Sequence, residues 1–180
     1  MNPADERAVL TAQEDEGALL TAQELARQVI SLLTARSQTL AVAESLTGGM
    51  LAATLTAIPG ASAAFRGAVV AYATDVKAAV LDVPSGLLAC HGAVHPDVAA
   101  AMAAGVRGRI KATAGVATTG VAGPDISDGQ PVGTVYIAVN MGRDTAVRAL
   151  GLTGDRQQIR LGTVVCALRL LMDMLREDNI

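Results

Sequence analysis

A short polar turn, "AESLTGG" at residues 43–49, lies between an apolar run and a segment whose composition favours helix. The turn has two interpretations. In the first, Ser45 or Thr47 caps the following helix and the glycines relieve backbone strain. In the second, Ser45 is a nucleophile at a helix N-terminus, where free backbone N–H groups stabilise developing negative charge.

A serine nucleophile needs a base, and histidine is scarce in this chain. His91 and His95 stand four residues apart around a predicted helix start, where a capping role is more common than metal binding. Lysine is then the natural substitute base. Zinc-protease, Cys/His, Walker and G-x-G-x-x-G patterns do not occur in the sequence. We therefore expect no metal, and neither a Walker kinase nor a dinucleotide-binding dehydrogenase.

Strands and helices alternate from residue 22 onward, and a hairpin signal at 141–144 joins a late strand pair. The predicted strands are 40–43, 67–72, 114–118, 132–140 and 145–152. The predicted helices are 22–36, 50 to before Pro59, 75–81, 95–110 and 155–176. This order predicts an α/β fold, a three-layer α/β/α sandwich with a mixed sheet.

Three polar segments, 44–49, 72–77 and 118–125, lie at the ends of predicted strands. In open α/β sheets, ligands bind beyond the carboxyl ends of the strands, where loops lead into helices. We therefore expect these three segments to converge on one site.

The composition favours a small-molecule or protein partner. The chain is 51% hydrophobic, with 18 glycines and only three aromatic residues, which predicts small side chains at tightly packed contacts and no base-stacking surface. Lys and Arg number 14 against 17 Asp and Glu, and no basic run occurs. The electrostatic footprint of a nucleic-acid-binding protein is therefore missing.

The 180 residues suit one domain. We expect an acidic leader at 1–20, frayed or weakly helical, and a single domain at 21–180.

Cys90 and Cys166 match no disulfide or metal spacing and are expected to be free buried thiols. With no signal peptide or membrane span in the sequence, we expect a cytoplasmic protein without a membrane partner. The small-residue face at 99–105 permits close subunit packing, and we expect a homo-oligomer.

Seven segments in order resemble one family over residues 22–176: "AESLTGG", "IPGAS", "GAVVAYATDVK", "HGAV", "TTGVAGPD", "PVGTVY" and "GDRQQIR". They are similar to the CinA C-terminal-domain family, the nicotinamide-nucleotide amidohydrolases also called PncC. The resemblance implies an α/β/α sandwich that hydrolyses the carboxamide of nicotinamide mononucleotide to nicotinic acid mononucleotide and ammonia, with no metal or other cofactor. Many members carry an additional N-terminal molybdopterin-binding-like domain, and we expect the stand-alone form here.

The resemblance also implies roles for individual residues. Ser45 matches the nucleophile, Tyr72 and Lys77 match the pair that activates it, Thr119 matches a loop threonine, and Arg156 matches the arginine that faces the phosphate. The other residues implied at the substrate are Glu44, Thr47, Gly48, Gly49, Gly120 and Gly123. Gln130 stands where the family usually has lysine, and His95 stands where it commonly has a serine cap. The first departure affects the rim of the pocket, and the second is structural.

Amide hydrolysis by serine also needs oxyanion donors and an acid for the leaving ammonia. The backbone N–H groups of residues 47–49 are the candidate donors, and Lys77 can act as base and then as acid. If Thr74 caps the short helix, Lys77 falls third in it, where the helix dipole lowers the pKa of the amine. Burial beside Val76 and Val80 lowers that pKa further, provided that Asp75 points to solvent.

For each of these residues taken singly, a purely structural role remains an open alternative. Tyr72 can be a strand-end ring, Lys77 a solvated helix lysine, Thr119 a turn residue and Arg156 a partner of Asp155. For the whole chain, the alternative function is a non-catalytic module that binds a nucleotide for regulation or scaffolding. The ordered motifs favour the enzyme.

Overall fold

The computed structural model describes residues 14–177, and in that range a five-stranded sheet lies among six α-helices. The strands are β1 (Leu40–Glu44), β2 (Phe65–Val70), β3 (Ala114–Gly120), β4 (Thr134–Met141) and β5 (Asp144–Gly151). The helices are α1 (Glu14–Ala35), α2 (Met50–Thr56), α3 (Thr74–Leu81), α4 (Ser85–His91), α5 (Pro96–Ile110) and α6 (Arg156–Glu177).

The sheet is mixed, as predicted. Its strand order is β2-β1-β3-β4-β5. Strand β1 pairs in parallel with both β2 and β3, whereas β4 is antiparallel to β3 and to β5. The predicted hairpin joins β4 to β5, and Gly142 takes a φ of 87° in its turn, a conformation that glycine adopts at little cost. The three parallel strands end at one edge of the sheet.

Alternate residues of strand β1 face different helices, which gives the three predicted layers. Leu40 and Val42 of β1 belong to the apolar core formed with α1, α2 and α6. Ala41 and Ala43 belong to a second core formed with α3, α4 and α5. Successive strand residues point to opposite faces, so the sheet is covered by helices on both sides.

The second core is packed through backbone as well as side chains. An added Cβ on Gly115 of β3 would lie 2.1 Å from the carbonyl oxygen of Ala103 in α5. On Gly105 of α5 it would lie 1.9 Å from the carbonyl oxygen of Leu81 in α3. These distances leave no room for a methyl group, which confirms the prediction of small residues at tight contacts.

Helix α1 begins at Glu14 rather than near residue 22, so residues 14–20 of the predicted leader are helical. Residues 1–13 lie outside the described range, and the domain division stays a prediction.

Helix α4 was not expected, because Pro84 and Gly86 at its start resemble a turn and only Leu88 in it is buried. Within residues 14–177, no helix has both the length and the apolarity needed to cross a bilayer.

The expectation that both cysteines are buried was wrong. Cys90 is exposed and Cys166 is partly buried, although both cysteines are free, as predicted. Burial raises the pKa of the Cys166 thiol above its ordinary value. Ala99, Met102 and Ala103 are fully buried in the chain's own core, whereas Ala104 of the same stretch is exposed. The expected homo-oligomer stays a prediction.

Candidate active site

A cavity of about 330 Å³ opens at the carboxyl ends of the parallel strands. Ser45 follows β1, Tyr72 lies just beyond β2, and Thr119 and Gly120 end β3. All four residues line the cavity, together with Lys77, Arg156 and the loop at 121–128. The three polar segments predicted to converge do meet here, because parallel strands deliver their carboxyl ends to one edge.

Ser45 directly follows the last residue of β1 and is held in place by the neighbouring strand β3. Its backbone N–H donates to the carbonyl of Thr118 in β3 over 3.0 Å, which continues the β1–β3 pairing one residue past the strand. The residue is 9% exposed, so its hydroxyl meets the cavity from a nearly buried position. The turn thus presents Ser45 to the cavity, but α2 begins only at Met50, so the serine is not at the helix N-terminus, contrary to the second interpretation.

The side-chain amine of Lys77 contacts the hydroxyl of Ser45. The Nζ atom lies 3.0 Å from Ser45 Oγ, 2.8 Å from the carbonyl oxygen of Ala71 and 3.0 Å from that of Tyr72. The residue is 1% exposed and is among the largest fully buried side chains of the described residues. A solvated helix lysine is therefore excluded.

Burial lowers the pKa of the Lys77 amine to about 8, and the carboxylate of Asp128 opposes that shift. The predicted cause of this lowered pKa was partly wrong. Helix α3 begins at Thr74 with Ala73 as N-cap, so Lys77 is its fourth residue rather than its third. Val80 is 40% exposed and contributes little burial. Asp75 is exposed, as the prediction required.

Tyr72 and Arg156 pair with each other rather than with the serine. Arg156 Nη2 donates to the Tyr72 hydroxyl over 2.8 Å, and Nη1 donates to the carbonyl of Gly123 over 2.6 Å. The Tyr72 side chain is largely exposed. Among the described residues, its hydroxyl makes no hydrogen bond to Ser45 or Lys77, so the expected activation of the serine through that hydroxyl has no support. Tyr72 positions the lysine through its backbone carbonyl instead.

Thr119 and Asp128 hold the two ends of one residue in the "HGAV" turn. Thr119 Oγ1 donates to the carbonyl of Ala93 over 2.7 Å, and Asp128 Oδ2 accepts from the Ala93 N–H over 2.7 Å. Sequence reasoning missed Asp128. The only signal in the sequence was the departure of the loop at 125–131 from the family pattern. In that loop, Asp128 lines the cavity, whereas Gln130, which was predicted to affect its rim, does not.

Gly120 and Gly123 both line the cavity, as predicted. An added Cβ on Gly120 would lie 2.6 Å from the carbonyl oxygen of Thr134. Gly123 has a φ of 83°, and its added Cβ would lie 2.9 Å from a methyl group of Val132. Larger residues would push this loop away from β4, so the glycines shape the cavity wall.

Glu44 does not line the cavity, contrary to its predicted role at the substrate. Its side chain is fully buried, and its carboxylate accepts from the N–H groups of Gly49, Leu51 and Ala52 over 2.8 to 3.0 Å. These N–H groups begin α2, where a helix leaves its first donors unpaired. The N-cap residue of α2 is Gly49, and the side chain that caps the helix is that of Glu44 rather than of Ser45 or Thr47.

Thr47, Gly48 and Gly49 also lie outside the cavity lining. The Thr47 and Thr118 hydroxyls are 2.8 Å apart, and the Gly48 N–H donates to the carbonyl of Ser45 over 3.1 Å. Because Gly48 and Gly49 already donate to the protein, they are poor oxyanion donors. Arg160, which the sequence analysis did not single out, donates to the carbonyl of Thr47 over 2.7 Å and braces the turn.

The two histidines have a structural role. His95 is the N-cap of α5, and its Nδ1 accepts from the Asp97 N–H over 3.3 Å. The rings of His91 and His95 stack with centroids 4.2 Å apart. Over residues 14–177, no group of three or more His, Cys, Asp or Glu side chains has a metal-binding arrangement.

Residues 22–175 match the family model described as the CinA C-terminal domain. A CinA-like protein from Frankia casuarinae is 58% identical over 147 residues, which are 82% of this chain and 34% of the relative. A CinA-like protein from Gemmatimonas aurantiaca is 50% identical over 155 residues, 85% of this chain and 35% of the relative. The chain thus spans about a third of the length of these curated relatives.

Solved structures share the fold across nearly their whole length. A competence-damaged protein (CinA) superfamily protein from Klebsiella pneumoniae has a TM-score of 0.84 at 34% identity, covering 87% of this chain and 98% of that one. The competence/damage inducible protein CihA from Agrobacterium tumefaciens has a TM-score of 0.83 at 36% identity, covering 87% and 96%.

Proposed function

The chain belongs to the CinA C-terminal domain family, and on that premise we propose that it hydrolyses the carboxamide of nicotinamide mononucleotide to nicotinic acid mononucleotide and ammonia. One observation carries the proposal: a fully buried lysine amine lies 3.0 Å from a serine hydroxyl in a cavity at the strand ends. Serine activated by a neutral lysine is a known solution for acyl transfer.

The reaction takes two steps on these residues. Neutral Lys77 accepts the proton of Ser45 as Oγ bonds to the carboxamide carbon, and the resulting ammonium then protonates the leaving nitrogen as the C–N bond breaks. Ammonia departs and a Ser45 ester remains. Lys77 next takes a proton from water, which attacks the ester, and returns it to Ser45 Oγ as nicotinic acid mononucleotide leaves. Lys77 thus acts in turn as base and acid.

The backbone N–H of Leu46 supports the same chemistry as an oxyanion donor. Leu46 directly follows Ser45 and lines the cavity. Its N–H donates to no other group among the described residues. The residue after the nucleophile supplies an oxyanion donor in other serine hydrolases, and one such donor accelerates turnover by about 10² to 10³-fold.

Arg156 supports binding of the 5′-phosphate. It is the first residue of α6, whose N-terminal dipole also favours an anion. Its guanidinium makes two hydrogen bonds inside the protein, to Gly123 and Tyr72. A guanidinium has about five N–H donors in all, so others remain for phosphate oxygens.

The test is ammonia release from nicotinamide mononucleotide, with the acid product identified chromatographically. The wild-type protein should release one ammonia for each acid formed. Ser45→Ala should lower turnover by at least about 10³-fold while nucleotide affinity stays nearly unchanged. Ser62→Ala, a serine substitution on the exposed surface, is the matched control and should keep full turnover.

Two results would redirect the proposal. Nucleotide binding without ammonia release by the wild-type protein would favour the non-catalytic module. Substantial turnover by Ser45→Ala would move the nucleophile to a water molecule or to Thr119.

A further inference from the structure

We infer that the carboxylate of Asp128 is the counter-ion for the positively charged pyridinium ring of the substrate and thereby selects cationic ring amides over neutral ones. The inference rests on the proposed function and adds a specificity-determining residue to it.

The position and hydrogen bonding of Asp128 suit it to contact a ligand in the cavity. It lines the same cavity as Ser45 and Lys77. Its Oδ2 is fixed by the Ala93 N–H at 2.7 Å, while Oδ1 accepts no hydrogen bond from any described residue. The carboxylate is therefore held in place by one oxygen and has the other free for a ligand.

The position of the reacting amide brings the ring close to this carboxylate. The carboxamide carbon must reach Ser45 Oγ, and in nicotinamide the ring is bonded directly to that carbon. Lys77 contacts Ser45 and is also near enough to Asp128 for that charge to raise the pKa of its amine. A ring attached to an amide at Ser45 thus lies within the electrostatic reach of Asp128.

Lys77 is the cation that interacts with Asp128, and this interaction is lost in the neutral amine that acts as the base. The remaining titratable residues that line it are Tyr72, Lys77, Asp125 and Arg156. Across residues 14–177, no ion pair joins Asp128 to Arg156, whose guanidinium is engaged with Tyr72 and Gly123. The cavity therefore offers an anion near the serine and a cation at α6, which complements a nucleotide with a cationic ring and an anionic phosphate.

Binding of two nucleotides to the Ser45→Ala protein tests this role without turnover. Nicotinamide mononucleotide has a cationic ring, and its reduced form has a neutral ring with the same amide and phosphate. At about pH 9, where the Lys77 amine is mostly neutral, Asp128→Asn should raise the Kd for the cationic form by about three- to fivefold, as expected for an exposed carboxylate. It should change the Kd for the reduced form by less than about twofold. Asparagine keeps an acceptor for the Ala93 N–H, so the loop stays anchored.

Asp75→Asn is the matched control, because this exposed carboxylate lies two residues before Lys77 but does not line the cavity. It should leave both Kd values unchanged. Equal weakening of both nucleotides by Asp128→Asn would show that Asp128 only anchors the "HGAV" turn, and would overturn the inference while the amidohydrolase stands. Failure of the parent protein to bind or hydrolyse nicotinamide mononucleotide would overturn the proposed function and this inference together.

Discussion

Lys77 Nζ lies 3.0 Å from Ser45 Oγ, and its other two partners are carbonyl oxygens at 2.8 and 3.0 Å. Carbonyl oxygens can only accept, so they hold two N–H groups of the amine in any protonation state. The ammonium donates its third N–H to the serine. The neutral amine instead directs its lone pair at the serine O–H, so the loss of one proton converts the site to its reactive form.

The pKa of Lys77 can be measured directly, because the chain has only two lysines, Lys77 and Lys111. In protein labelled with ¹³C at lysine Cε, one resonance should titrate near pH 8, since burial disfavours the ammonium. Lys111→Arg leaves a single resonance and assigns it. A Lys77 resonance that titrates at the ordinary lysine value of about 10.4 would contradict the depressed pKa.

Turnover should depend on pH through the same group. The base is the neutral amine, whose fraction grows as pH rises through a pKa of about 8, so kcat/KM should rise on that limb. Lys77→Arg keeps the charge but cannot lose its proton, and should lower kcat/KM by at least about 10²-fold. Unchanged turnover and pH profile in Lys77→Arg would leave Lys77 an electrostatic residue only.

Removal of the Arg156 side chain should weaken binding of the phosphate. Arg156→Ala should raise KM for nicotinamide mononucleotide by about tenfold or more, with a change below about threefold for the unphosphorylated riboside. Steady-state kinetics on both substrates measures the difference. Arg109→Ala, which breaks an exposed ion pair with Asp82, is the control and should alter neither KM. Equal losses on both substrates would mean that Arg156 only supports Tyr72 and the Gly123 loop.

The convergence of Ser45 and Lys77 could be predicted from sequence because it depends on local patterns. Apolar runs that end in polar turns indicate buried parallel strands, and such strands bring their following residues to one edge. The positions of the strands and of five of the six helices followed from the same periodicity. The ordered motifs then identified which polar residues at that edge form the site.

Contacts between distant loops could not be predicted in the same way. Glu44 stands six residues before the first residue of α2, whereas local capping rules consider the residue next to the helix. The bonds of Asp128 to Ala93 and of Arg156 to Tyr72 join segments far apart in the chain. Their partners are set by how the loops pack, which no spacing in the sequence records.

The role of Glu44 as a helix cap predicts an effect on stability. Its fully buried carboxylate accepts three backbone hydrogen bonds. Glu44→Gln replaces one acceptor oxygen with an NH₂ group that faces N–H donors, and should lower the free energy of unfolding by about 1 to 3 kcal/mol. Urea denaturation measures this change. Glu24→Gln, at an exposed carboxylate paired with Arg27, should leave stability nearly unchanged. A Glu44→Gln protein of wild-type stability would contradict the capping role.

The packing of α5 predicts opposite results for two glycines in the same helix. A Cβ on Gly105 would lie 1.9 Å from the carbonyl oxygen of Leu81, whereas on Gly108 it would have nothing within 4 Å. Gly108→Ala should therefore raise the free energy of unfolding by about 0.5 to 1 kcal/mol, because alanine restricts the unfolded chain and favours helix. Gly105→Ala must force α3 and α5 apart and should lower that free energy by about 3 kcal/mol or more. Equilibrium urea denaturation of both variants gives the comparison. Since Lys77 lies on α3, displacement of that helix should also reduce turnover in Gly105→Ala, and equal stability of the two variants would contradict this backbone contact.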